Sequence, residues 1–231
     1  MIEVRDLRFA YGEGGFELQV ERLSIATGER VCLVGPSGSG KTTLLQLVAG
    51  IVSPAAGHLE TCGQVLTELR DAARRDFRIA NVGLVFQDFA LLDYLSVLEN
   101  ILLPYRINRS LRLEGAVGDR AGELAAEVGL GNMLSRRPSQ LSQGERQRVA
   151  VCRALIANPK LLLADEPTAN LDPGNAARVL DMLDGYASKH AATLVVVTHD
   201  SDVVSRLDQT IDVSAYGTPG QPEPAGVAAD A

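Results

Sequence analysis

The 231-residue chain contains no run that approaches the ~20 consecutive apolar residues a membrane-spanning helix requires. Any link to a membrane is therefore expected to come through another chain. Basic residues are in deficit: 22 Lys and Arg against 29 Asp and Glu give a formal net charge of -7. That balance argues against nucleic acid as the main partner, because a phosphate backbone demands a basic face. It leaves room for a local basic pocket around one nucleotide. Cysteine is scarce, and Cys32, Cys62 and Cys152 show no C-x-x-C spacing. Reduced thiols in or near a core are expected, rather than a metal site or a disulfide framework, which fits the cytosol. The start, Met1 to Asp6, lacks a basic segment followed by an apolar one, so no signal peptide is expected. No internal repeat is visible.

What is present is an alternation of buried-strand and helix patterns. Strand patterns run from Ile2 to Phe9 and from Phe16 to Val20, and short apolar runs span Val31 to Val34, Asn81 to Phe86, Leu161 to Ala164 and Thr193 to Val197. A last strand is expected near Thr210 to Val213. Helical patterns cover Thr42 to Ala49, about 69–77, and roughly 174–189. The stretch from about 96 to 157 is helical, with turns expected near Gly115, Gly118, Gly131 and Pro138. The alternation predicts an α/β fold with a mainly parallel sheet flanked by helices, a small antiparallel β layer, and an inserted α-helical subdomain at about 88–157. Residues 217–231, rich in Gly, Pro and Ala, read as a disordered tail.

Two segments carry chemistry. Gly35-Pro36-Ser37-Gly38-Ser39-Gly40-Lys41-Thr42 fits the phosphate-loop pattern G-x-x-x-x-G-K-[ST], after an apolar strand and before a helix that continues through Thr43. Glycines let successive N–H groups curl toward phosphate oxygens, and the helix start adds the positive end of its dipole. Lys41 supplies a charge for the β- and γ-phosphates, and the Thr42 hydroxyl can ligate Mg²⁺. Asp165 and Glu166 end the apolar run Leu161 to Ala164, at the strand end where parallel sheets bind ligands. Asp165 can hold Mg²⁺ through water, and Glu166 can polarise an attacking water as general base. Taken alone, the acidic pair is equally an ordinary solvated turn.

The segment Leu141-Ser142-Gln143-Gly144-Glu145-Arg146-Gln147-Arg148 resembles the signature sequence of the ABC transporter ATPase family and its basic helix. The common form has Gly and Gln where this chain has Gln143 and Glu145, while Ser142 and Gly144 are retained. Ser142 and Gly144 open a helix, so the segment is both a capping box and a candidate anion site. The resemblance spans about residues 2–213. It implies a P-loop NTPase fold, an ABC ATPase domain over 1–216, and ATP with Mg²⁺ as cofactors. It implies that Tyr11 stacks on adenine. Gln87 stands at the Q-loop, touching Mg²⁺ and the lytic water. Ala169 to Asp172 is similar to the D-loop, which crosses to an opposite site. His199 resembles the switch histidine at the γ-phosphate, whereas His58 and His190 match no motif and read as surface residues. In the family the signature faces the phosphate of a second copy, so a homodimer on ATP binding is implied, with an integral membrane permease as further partner. The expected location is cytoplasmic, on the inner face of the cell membrane. Val82 to Gln87, Leu91-Leu92, Val97 to Asn100 and Asp165 to Asp172 look like the bacterial branch that releases lipoproteins, exports macrolides or acts with cell-division permeases. An amino-acid importer, or a complex in which ATP gates a cell-envelope enzyme without transport, remains an alternative.

Overall fold

The computed structural model describes residues 1–12, 15–108 and 110–218. The chain opens with the antiparallel pair β1 (Ile2–Ala10) and β2 (Glu17–Ile25). It continues through β3 (Arg30–Val34), α1 (Lys41–Val48), β4 (Ala56–Thr61), β5 (Gln64–Val65), α2 (Asp71–Asn81) and β6 (Val82–Val85). A helical lobe follows, made of α3 (Val97–Ile101), α4 (Leu103–Ile107), α5 (Gly115–Glu127) and the start of α6 (Gln143–Leu155). The last part holds β7 (Leu161–Asp165), α7 (Pro173–His190), β8 (Thr193–Val197), α8 (Ser201–Val204), β9 (Gln209–Asp212) and β10 (Gly217–Thr218).

Among the described residues these strands form two five-stranded sheets. One is antiparallel, in the order β10-β2-β1-β4-β5, and the other is parallel, in the order β6-β7-β8-β3-β9. The inner parallel strands have apolar side chains on both faces, because helices cover both sides of such a sheet. Every residue of β7 and β8 is buried. One core cluster joins β1, β2, β3 and α1, and a second joins β7, β8 and α7. A third holds the helical lobe together, with Val97, Ile101, Ala121, Ala125, Val149 and Ile156 at its centre.

The register fixes where the loops emerge. Asp165 pairs with Val197, Val197 with Leu33, and Leu33 with Ile211. The loops after β3, β7 and β8 therefore leave the sheet side by side at its carboxyl edge, where ligands bind in open parallel sheets.

Three expectations need correction. The helix expected at about 69–77 spans Asp71–Asn81 and runs directly into β6. Gly118 lies inside α5 rather than at a turn, because Ala121 and Ala125 on the same helix are fully buried and packing outweighs the weak helix propensity of glycine. The tail expected from 217 begins no earlier than 219: Gly217 and Thr218 pair with Leu18 and Glu17, completing an otherwise open edge of β2. The remainder of the proposed tail, 219–231, lies outside the described residues. Cys32 and Cys152 are buried, Cys62 is half-buried, and all three are free thiols. His190 is exposed and stacks on Tyr186, and His58 is half-buried.

Candidate active site

The loop between β3 and α1 is built on left-handed backbone. Gly35, Gly38 and Gly40 have φ of 146°, 78° and 97°. At Gly40 a side chain is also excluded by space: a Cβ would lie 2.5 Å from the Phe16 ring and 2.9 Å from Leu18. Gly40 caps α1 without a side chain, so no side chain occupies the first N–H groups of the helix. Pro36, Ser37 and Gly38 are exposed, whereas Ser39 and Thr43 are buried. Among the described residues the Ser39 hydroxyl has no hydrogen-bond partner. Lys41 folds back over the loop, and its Nζ donates to the carbonyls of Gly35 (2.7 Å) and Pro36 (2.9 Å). The result is a cradle of donors with one ammonium at its mouth, the arrangement that binds a phosphate chain.

The end of β7 meets this loop. The Thr42 hydroxyl donates to Asp165 Oδ2 at 2.9 Å across 123 residues of sequence. Asp165 is buried, and burial raises its pKa; the Thr42 hydrogen bond and, more weakly, Lys41 oppose that shift. The chain then turns sharply at Glu166, whose φ is 46° and whose N–H still donates to Val197 O at 2.8 Å. A non-glycine residue in this region is strained, and such residues cluster at functional sites. Glu166 Oε1 lies 2.8 Å from His199 Nδ1. That hydrogen bond, followed by the charge of Glu166, raises the pKa of the exposed His199 imidazole.

Other expected site residues take distinct places. Gln87 is exposed, two residues past the end of β6 at the same sheet edge. Tyr11 is exposed at the end of β1, packs edge-on against Phe9 at 4.7 Å, and donates to the Gln46 side chain of α1 at 3.2 Å. Ser142 and Gln143 are exposed at the start of α6. Ser142 accepts from Glu145 N, and the Glu145 carboxylate accepts from Ser142 N at 2.7 Å, a contact that lowers the Glu145 pKa. Gly144 is fixed by contact, since a Cβ there would lie 2.6 Å from the Asn175 side chain. Asp172 caps α7 and accepts from Asn175, which lowers its pKa. Among the described residues, no hydrogen bond joins Ser142, Gln143, Gly144, Glu145 or Asp172 to the phosphate loop.

Three further side chains of α6, Gln147 and Arg148 at the end of the signature-like segment and Arg153 beyond it, also reach these loops. Gln147 Nε2 donates to Pro167 O at 2.6 Å, directly after Glu166. Arg148 donates to Asn175 Oδ1. Arg153 donates to the carbonyls of Phe89 and Ala90 beyond Gln87. The helical pattern places these residues on α6, but nothing local in the sequence points to partners 20 to 64 residues away.

Residues 18–169 match the ABC transporter family. The chain is 43% identical over 218 residues to the lipoprotein-releasing system ATP-binding protein LolD of Chromohalobacter salexigens, across 90% of this chain and 91% of that one. It is 41% identical over 214 residues to the macrolide export ATP-binding/permease protein MacB of Rhodopirellula baltica, across 91% of this chain and 31% of that longer one. Among solved structures, the dimeric post-hydrolysis state of the ATP-binding cassette MJ0796 bound to ADP and Pi superposes with a TM-score of 0.85 and 31% identity, covering 96% of this chain and 100% of that one. The chain belongs to the ABC transporter family and is an ATPase domain of that family.

Proposed function

We propose that two copies of this chain close head to tail on two ATP molecules, and that hydrolysis reopens them to drive a separate membrane permease. The observation that carries this reading is the meeting of Thr42, Asp165, Glu166 and His199 beside the phosphate loop at one sheet edge. Lys41 and the loop N–H groups bind the β- and γ-phosphates. Tyr11 flanks the adenine. The Thr42 hydroxyl and Asp165 carboxylate fit Mg²⁺, which takes oxygen ligands and keeps water and phosphate in its shell. With Gln87 at the same sheet edge, these residues would hold the ion, which when bound would supply positive charge beside the phosphates. Glu166 accepts the proton of the attacking water, and His199 holds the Glu166 carboxylate and faces the γ-phosphate.

The start of α6 has donors but no phosphate of its own within the chain. Ser142 and Gly144, with Gln143 and Glu145 around them, complete the site of the second copy, and the Asp172 loop crosses to it. Among the described residues no helix is long and apolar enough to cross a membrane. The permease docks near Gln87 and the helical lobe. The likeness to LolD and MacB supports export or release of a substrate at the inner face of the cell membrane.

The test is Glu166→Gln. The variant is expected to bind ATP with near wild-type affinity, to turn over at least about 100-fold more slowly, and to accumulate as an ATP-bound dimer on size exclusion. Hydrolysis at the wild-type rate would remove Glu166 as base.

A further inference from the structure

Between Gln87 and α3 the chain passes through two consecutive non-glycine residues in the left-handed region, Phe89 at φ 58° and Ala90 at φ 48°. L-residues avoid this conformation, so something outside the loop has to hold it. The local backbone bonds, Phe89 N–H to Phe86 O and Ala90 N–H to Asp88 O, only close the turn on itself. The outside contact is Arg153, which comes from α6. Its guanidinium donates to Phe89 O at 2.6 Å and to Ala90 O. Two carbonyls from adjacent residues converge on one planar fork because both residues are left-handed.

Arg153 is 9% exposed, and no ion pair involves it among the described residues. Burial pulls its pKa down to about 10. A buried cation without a carboxylate is costly unless its donors are occupied. The loop and the arginine therefore require one another. A second clamp lies just downstream, where buried Asn100 donates to the carbonyls of Leu92, Leu95 and Ser96 and accepts from Leu92 N. Residues 88–96 are thus held from the helical lobe at two points, and Gln87 stands at the free end of that stretch. Arg153 also lies eleven positions beyond Ser142 on the same helix, roughly 16 Å along the axis.

We propose that Arg153 is a positioning residue for hydrolysis: by holding Phe89 and Ala90 it fixes Gln87 relative to the helix whose far end presents Ser142 and Gly144. A shift of α6 on closure of the dimer then moves Gln87 with it. This inference rests on the proposed role of Gln87 in hydrolysis.

The experiment measures ATPase kinetics and melting temperature of the full chain for Arg153→Met, Arg153→Lys, Gln87→Ala and the double variant Gln87→Ala with Arg153→Met. Methionine keeps an unbranched apolar stem and removes both the donors and the buried charge. Arg153→Met is expected to lower kcat about tenfold with KM for ATP changed less than about twofold, as misplacement of a reacting group does. Arg153→Lys, which can still donate to a carbonyl, is expected to recover most of that loss. The double variant is expected to be no slower than Gln87→Ala alone, because a group that acts only through Gln87 has nothing left to position. A wild-type kcat in Arg153→Met beside a slow Gln87→Ala overturns the inference. So does the same tenfold loss in the Gln87→Ala background. A full-rate Gln87→Ala overturns the reading of Gln87 itself. Should Arg153→Met lower the melting temperature, hydrogen exchange decides. Faster exchange confined to residues 88–91 supports the positioning role, and uniformly faster exchange through Leu161–Asp165 assigns Arg153 to general stability and overturns it.

Discussion

Glu166 carries three constraints at once. Its backbone is left-handed, its N–H is tied to β8 through Val197, and its carboxylate meets His199. The side chain is thereby aimed across the carboxyl edge of the sheet rather than along the turn. The contact favours the imidazolium form of His199. Whatever stability it adds is fully present below the ordinary histidine value of 6.5 and fades as pH rises through the elevated value of the folded state. His199 is exposed, so the contribution is screened by solvent. In Glu166→Gln the His199 titration followed by NMR is expected to move down toward 6.5, and an unchanged midpoint would show that the pair does not form in solution. The residue types at this edge are legible in the sequence, because Gly35 to Thr42, Asp165, Glu166 and His199 each follow an apolar strand. Their distances are not. The 2.9 Å contact of Thr42 with Asp165 joins positions 123 apart, and only the strand register sets it.

At the level of elements, the site depends on β7 and β8 being buried throughout. Leu163 is 1% exposed and pairs with Val195 on one side and Leu84 on the other. Leu163→Ala leaves a cavity in a sheet that helices pack on both faces, and is expected to lower unfolding free energy by about 2–5 kcal/mol. Urea denaturation checks this; a loss below about 1 kcal/mol would mean that the neighbours collapse into the space. The parallel strands were readable as short apolar runs because such strands lack the one-sided alternation of surface sheets. The helical lobe is readable as a region, and the turns expected near Gly115, Gly131 and Pro138 fall at breaks between its helices; the one at Gly118 does not. Gly118 looks like a breaker in sequence, yet sits on a helix whose alanines are fully buried. The tethers of α6 leave no local pattern at all, since Gln147, Arg148 and Arg153 resemble an ordinary basic helix until the fold brings Pro167, Asn175 and Phe89 to them.

For the whole molecule, the two halves of the proposed site lie on one chain but, among the described residues, share no hydrogen bond. The phosphate loop and Asp165 belong to the parallel-sheet core, and Ser142 and Gly144 to the end of a helix that reaches into the lobe. In the proposed mechanism, closure between two copies depends on ATP bringing negative charge to both positive ends. Lys41→Ala removes the ammonium from the first of these. The variant is expected to bind ATP at least about tenfold more weakly, the loss of one charge-assisted contact, and to remain monomeric in sedimentation at ATP concentrations that dimerise Glu166→Gln. Undiminished affinity would separate Lys41 from nucleotide binding.

The carbonyl contacts of Lys41 have a thermodynamic corollary. The lysine stem is already ordered against Gly35 and Pro36, so its rotamer freedom is surrendered when the domain folds rather than when a triphosphate arrives. In the proposed site, docking is a swap of acceptors, oxygen of the main chain for oxygen of the phosphate, by a side chain that the fold has already ordered.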